Sequence, residues 1–311
     1  MLVVLGHIVS PFSTVIFSFH IPLFFFLGGV FIKTTYTPAD FLKRNFVRLL
    51  VPYLIFGALG LLVNDIKNVF LHRPQEDVFQ SIVGLLYWMD YPHLQHYGFV
   101  LWFLPALFWA RLISYGLTQY LKLNEGLVFL LCVACAYVFS DMVQLTLPFA
   151  LDKGLVALPW VFMGSVFYRR KEKFLTLPIW KIAPLALLVF LIAYFDGVPR
   201  LDFAVRNAGH FFITLSYTFA VIFLIVWLIY NARFGESAPL RNISAFISRF
   251  GSESMLVYIA HPYTNNGAYL LSNYLLGEGY WYIKFALTVA MLMVVIGIKL
   301  RYQGSLLFKY L

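Results

Sequence analysis

Residues 3–29 read VVLGHIVSPFSTVIFSFHIPLFFFLGG, and this stretch decides the fold. Between Met1 and Phe31 the only ionisable side chains are His7 and His20. About 20 such residues cross the hydrocarbon core of a bilayer as a helix. A polar ring placed there is costly unless it has a partner or a task.

The pattern recurs along the chain. Its 311 residues are 61% hydrophobic, 19% aromatic and 12% charged. A soluble domain carries about 25% charged residues. This much apolar surface excludes the pair of soluble domains that length alone would allow. Apolar runs near 1–17, 18–33, 47–64, 99–118, 127–143, 151–168, 181–195, 210–230, 252–272 and 281–300 predict an all-α, polytopic membrane protein of about ten transmembrane helices. If the N-terminus is cytoplasmic, the basic segments 33–48, 169–181, 233–249 and 299–309 all fall inside. That places most of the 23 lysines and arginines on the cytoplasmic side and both termini there too. The net charge of +9 is then a matter of topology. No basic stripe interleaved with exposed aromatics points to nucleic acid.

Three histidines are candidates for chemistry. His7 and His20 sit in the opening run, and His261 sits in SESMLVYIAHPY at 252–263. Histidine is the side chain best suited to proton transfer near neutral pH. Pro262 frees backbone carbonyls and marks a possible cavity. Because His20 precedes Pro22, its other reading is to end or orient a helix. In FLKRNFVRLLVPY at 41–53, Lys43 flanks Arg44 and Arg48, whose spacing puts them on one helix face. They read either as a topology anchor or as a clamp for an anionic cytosolic ligand such as nucleotide phosphates. The polar segment 65–98 falls outside and suits either a hydroxylated ligand or an interfacial aromatic loop. Cys132 and Cys135 form a lone C-x2-C inside an apolar run and read as packing. LWFLPALFWARL at 101–112 reads as packing with interface anchors. No metal is expected, because no carboxylate or cysteine obviously completes a site with the histidines.

VVLGHI, FHIPLFFFLGG, FLKRNFVRLLVPY, LWFLPALF, LVALPWVFMGSVF and SMLVYIAHP follow one another from residue 3 to residue 262. In that order they resemble the acyltransferase 3 family of integral membrane acyltransferases, above all its fucose 4-O-acetylase-like and polysaccharide O-acetyltransferase members. The resemblance implies one membrane domain over 1–311 in a bacterial inner membrane. It implies transfer of an acetyl group from cytosolic acetyl-CoA to a hydroxyl of a sugar or glycan. His7 falls on the family's first-helix histidine, Arg44 and Arg48 on its cytoplasmic basic motif, and His20 and His261 on histidines of the fucose-acetylase-like group. The family carries a longer segment with a basic residue before its first histidine, so the first helix is expected to be truncated. The mechanism expected is general-base catalysis by His7, with Trp102 as a candidate donor to the oxyanion. Two rival readings are a transporter or flippase of a polar or lipid-linked substrate and a non-catalytic relative of the acyltransferases. The transporter should show paired repeats, which are not evident by eye.

Overall fold

In hydrocarbon every backbone N–H and C=O must be satisfied within the chain, and a helix does this locally. The computed structural model describes residues 1–70, 72–74, 77–88, 100–121, 123–232, 238–277 and 280–302. Among these the chain is helical, and its only β pairing is an isolated bridge between Asp202 and Asn207. The helices are α1 (Leu2–Gly6), α2 (Ser13–Val30), α3 (Pro38–Asn45), α4 (Val51–Phe70), α5 (Val78–Val83), α6 (Phe103–Tyr120) and α7 (Glu125–Tyr137), followed by α8 (Leu151–Val156), α9 (Leu158–Leu175), α10 (Ile179–Phe195), α11 (Phe211–Asn231), α12 (Ala238–Ser252), α13 (Ser254–Leu276) and α14 (Trp281–Arg301).

Among the described residues, five helical segments are long and apolar enough to cross a membrane: α2, the continuous run Pro38–Phe70, Glu125–Met142, α11 and α14. A sixth is formed if Pro148–Val156 and α9, bent by 63° at their junction, make one broken span. α6 and α13 have spanning length but are less apolar, and α10 is shorter.

The opening run is divided differently from the expected 1–17 and 18–33. α1 stops at Gly6, and a turn precedes α2, which continues without a break through Pro22 to Val30. Two serines account for the turn. Ser13 Oγ donates to Ile8 O at 2.8 Å, Ser10 Oγ donates to Leu5 O, and Ser13 Oγ accepts from Ser10 N. Carbonyls left over at the end of α1 are thereby paired. His20 therefore lies inside a helix and does not end one.

The chain forms two compact units, Met1–His20 with Ile225–Leu311, and Ile21–Leu224. In the first, Val4, Ile8, Phe250, Leu256, Val257, Leu292 and Ile296 make the buried core. α13 and α14 pack as an antiparallel hairpin, with Glu253 at the start of one ion-paired to Lys299 at the end of the other. Gly6 lets α1 approach α2, since a Cβ there would lie 3.0 Å from Ile16 Cγ2.

In the second unit, the C-terminal half of α2 and α9 touch backbone to backbone. A Cβ on Gly29 would lie 1.9 Å from Val161 O, and one on Gly164 would lie 1.9 Å from Phe26 O. Small residues at such a crossing replace hydrophobic drive, which lipid cannot supply, with close packing. Arg111 of α6 reaches the C-terminal end of α2 and donates to Gly28 O at 2.9 Å and Phe31 O at 3.3 Å. A cation here complements the helix dipole. Phe25, Phe103, Trp160 and Phe203 fill the interior, and Trp160 Nε1 donates to Thr218 Oγ1 at 3.0 Å. Cys132 and Cys135 are free thiols on α7.

Candidate functional site

His7, His20 and His261 converge within the first unit. The His7 ring lies 5.1 Å from that of His261 and 6.3 Å from that of His20, centroid to centroid. Phe17 closes one side, 5.4 Å from His7 and 5.1 Å from His20. His7 ends α1, where its backbone N–H is bonded to Val3 O and its side chain is exposed. His20 and His261 are each only 1% exposed, so their ring nitrogens must be paired from within or left for a ligand.

Each buried ring is anchored by Nδ1. His20 Nδ1 lies 2.9 Å from Ile16 O, and His261 Nδ1 lies 2.6 Å from Tyr258 O. A carbonyl can only accept, so the proton is assigned to Nδ1 in both rings. In the neutral imidazole Nε2 then carries the lone pair. In α13 the following residue makes this anchor available. Pro262 has no N–H, so Tyr258 O, its partner four residues back, lacks the usual helix bond and is left for the imidazole. The Nε2 atoms of His20 and His261 are both buried without a hydrogen-bond partner. The cluster thus presents two oriented acceptor nitrogens beside a third, accessible ring. It can receive a hydroxyl proton.

The basic segment lies in the second unit. Thr37 caps α3 through its side chain, and Pro38 occupies the first turn. The helix then passes through a π-helical turn, Phe46–Leu50, before α4. This turn contains Arg48, so the regular facing of Arg44 and Arg48 expected from their spacing is locally altered. Turns of this kind concentrate at functional sites. Lys43, Arg44 and Arg48 are exposed, and Arg44 lies over the Tyr36 ring at 4.5 Å. Among the described residues none of the three has a carboxylate partner, whereas Arg169 and Arg170 are both paired with Glu125. Exposed cations that form no ion pair among the described residues fit a polyphosphate.

A buried ionic cluster was not legible in the sequence. Asp152 and Lys153 on α8 are 0% and 1% exposed, and Arg206 joins them with Nε 3.2 Å from Asp152 Oδ2. Lys153 Nζ lies 3.6 Å from the same oxygen. Neither contact to Asp152 is aligned as a hydrogen bond, so the attraction is Coulombic. Arg206 also donates to Val143 O at 3.2 Å and Leu145 O at 2.9 Å. Phe149, Ala150 and Arg206 all have left-handed backbone conformations, with φ of 53°, 50° and 56°. The cluster fastens the segment after α10 to α8. Elsewhere, Trp102 is buried in the second unit and stacks with Phe203. In the polar segment 65–98, α5 is capped by Asp77, while 71, 75–76 and 89–98, which include His93 and His96, lie outside the described residues. Among the described residues no three His, Cys, Asp or Glu side chains are placed to hold a metal ion.

A family model described as an acyltransferase domain matches residues 1–303. No curated protein and no solved structure matches the chain. The match covers nearly the whole length and joins helices long and apolar enough to span a bilayer. The chain is a membrane protein of the acyltransferase class, and it belongs to the acyltransferase 3 family.

Proposed function

We propose that the protein transfers an acetyl group from cytosolic acetyl-CoA to a hydroxyl of a sugar or glycan. The observation that carries this reading is the convergence of three histidines, two of them with Nδ1 anchored and Nε2 unpartnered. A sugar hydroxyl is a weak nucleophile and needs a base as it attacks. His7, the accessible ring, takes that proton. Nε2 of His20 and of His261 accept hydrogen bonds from the acceptor and hold it in line. The hydroxyl oxygen bonds to the thioester carbonyl carbon, and charge develops on the carbonyl oxygen. As that charge returns, the C–S bond breaks, and the departing thiolate takes the proton back from His7. Lys43, Arg44 and Arg48 bind the donor's phosphates. Their exposure, and the lack of a carboxylate partner for any of them among the described residues, support this assignment. In this reading residues 1–311 form one membrane domain of about ten spans, both termini are cytoplasmic, and the site of action is a bacterial inner membrane.

The test is transfer of label from acetyl-CoA to endogenous glycan in membranes containing the protein, compared with His7→Ala. Incorporation that disappears in His7→Ala, at equal protein level, is the expected result. Full incorporation by His7→Ala removes the mechanism, and none by either protein removes the acetyltransferase reading.

A further inference from the structure

His261 begins a polar stripe on α13. Asn265, Ala268 and Ser272 follow it at helical spacing and share its face. Ala268 and Ser272 are 0% exposed. Along the stripe, Nε2 of His261, both amide atoms of Asn265 and the hydroxyl of Ser272 are buried without a hydrogen-bond partner.

Among the described residues, several polar side chains on helices find a local partner. The hydroxyls of Thr118, Ser216 and Thr288 donate to the carbonyl four residues back, and the amides of Asn45 and Asn231 do the same. Even Thr264, the neighbour of Asn265, donates to Ala260 O. Asn265 and Ser272 do not use this option. Unpartnered buried polar atoms are rare and call for an explanation each time. Several of them aligned on one face, starting at a histidine 5.1 Å from His7, are best explained together.

The chemistry of the stripe is neutral. It offers an imidazole lone pair, a carboxamide and a hydroxyl. A carboxamide places a donor beside an acceptor, which complements two neighbouring hydroxyls. An anion would meet the repelling amide oxygen and would find no cation on the stripe. From His261 to Ser272 the helix rises about 16 Å, longer than a single sugar ring.

We infer that the His261–Asn265–Ser272 stripe is the acceptor subsite, that it takes a neutral polyhydroxylated glycan segment, and that Asn265 holds the hydroxyls next to the one acylated. The inference rests on the acetyltransferase reading above.

The experiment uses the full chain, labelled acetyl-CoA and glycans from the host envelope, separated by anion exchange into neutral and acidic fractions. Asn265→Leu replaces the amide with an apolar side chain of similar volume. Because the amide has no partner in the protein, this variant should melt no lower than the parent. A structural role would lower the melting temperature. Label should enter the neutral fraction, and in Asn265→Leu the KM for that fraction should rise about tenfold or more while the KM for acetyl-CoA holds. Ser272→Ala deletes only an unpartnered hydroxyl, and it carries the same comparison if Asn265→Leu does not accumulate. An unchanged acceptor KM, a lowered melting temperature, or label confined to the acidic fraction overturns the subsite. No label in either fraction with the parent protein overturns the acetyltransferase reading itself, and the two failures are therefore distinct.

Discussion

Replacing Arg206 with methionine should destabilise the second unit by about 4 kcal/mol. The side chain leaves a carboxylate, Asp152, that is 0% exposed and 3.2 Å from Arg206 Nε. Removing one partner of a buried ion pair costs about 3–5 kcal/mol, mostly through the charge left behind. Lys153, 3.6 Å from the same oxygen, still compensates in part and moves that contribution to the lower end. Val143 O and Leu145 O also lose their donor. Each buried unpaired group adds about 1–3 kcal/mol, less where water reaches the exposed side of the segment. Methionine keeps the strain of a left-handed φ, whereas Arg206→Gly relieves about 1 kcal/mol of it and should be the milder change. Asp152→Asn alone leaves two buried cations facing each other and should also be severe. The double variant Asp152→Asn/Arg206→Met should cost less than the two singles added together, because Asp152 and Arg206 are neutralised jointly and only the Lys153 charge still loses its carboxylate. The assay is thermal unfolding in detergent, followed by tryptophan fluorescence. At about 2–4 °C per kcal/mol for a unit of this size, Arg206→Met should lower Tm by about 10 °C. A Tm indistinguishable from the parent's, or strict additivity in the double variant, would refute the view that this cluster is a mutually dependent buried network.

Other outcomes follow from the same geometry. Gly164→Ala should disrupt the α2–α9 contact, because its Cβ would lie 1.9 Å from Phe26 O, and it should cost about 3 kcal/mol or more of stability. Gly116→Ala on α6, where a Cβ meets nothing within 4 Å, should be neutral or stabilise by about 0.5–1 kcal/mol, and melting curves of the pair provide the comparison. Alanine at Arg44 or Arg48 should raise the KM for acetyl-CoA about tenfold each with kcat retained, and the effect should shrink as salt is added. In steady-state transfer assays His7→Ala should lose about 10²–10⁴-fold in kcat. His20→Gln and His261→Gln, which keep an acceptor group but not a base, should lose about tenfold. A greater loss at His261 than at His7 would transfer the base assignment to α13.

The membrane class was legible because hydropathy is a property of each segment by itself. The histidines were legible for the same reason, since an ionisable ring in an apolar run stands out without knowledge of its neighbours. Their convergence was not, because His20 and His261 are separated by most of the chain. The boundary at 17 and 18 was misplaced because Ser10 and Ser13 turn the chain after α1 by bonding to its carbonyls, and this leaves almost no mark on hydropathy. Arg111 reads as one charge among packing residues until α2 brings its C-terminal carbonyls to it. Asp152 and Arg206 are 54 positions apart and become a pair only through tertiary structure. Asn265 had a signal that could have been followed, since its spacing of four residues from His261 is readable by eye. What the sequence lacks is the fact that neither amide atom finds a partner.

The anchoring of His20 and His261 through Nδ1 also limits where a proton can go. An imidazole conducts protons when it can receive on one nitrogen and release from the other. Here the second nitrogen faces Ile16 O or Tyr258 O, and a peptide carbonyl is far too weak a base to take the proton onward. A proton arriving at Nε2 must leave from Nε2. Both rings are therefore dead ends and not links in a wire, and within the cluster any relay through both ring nitrogens is left to His7.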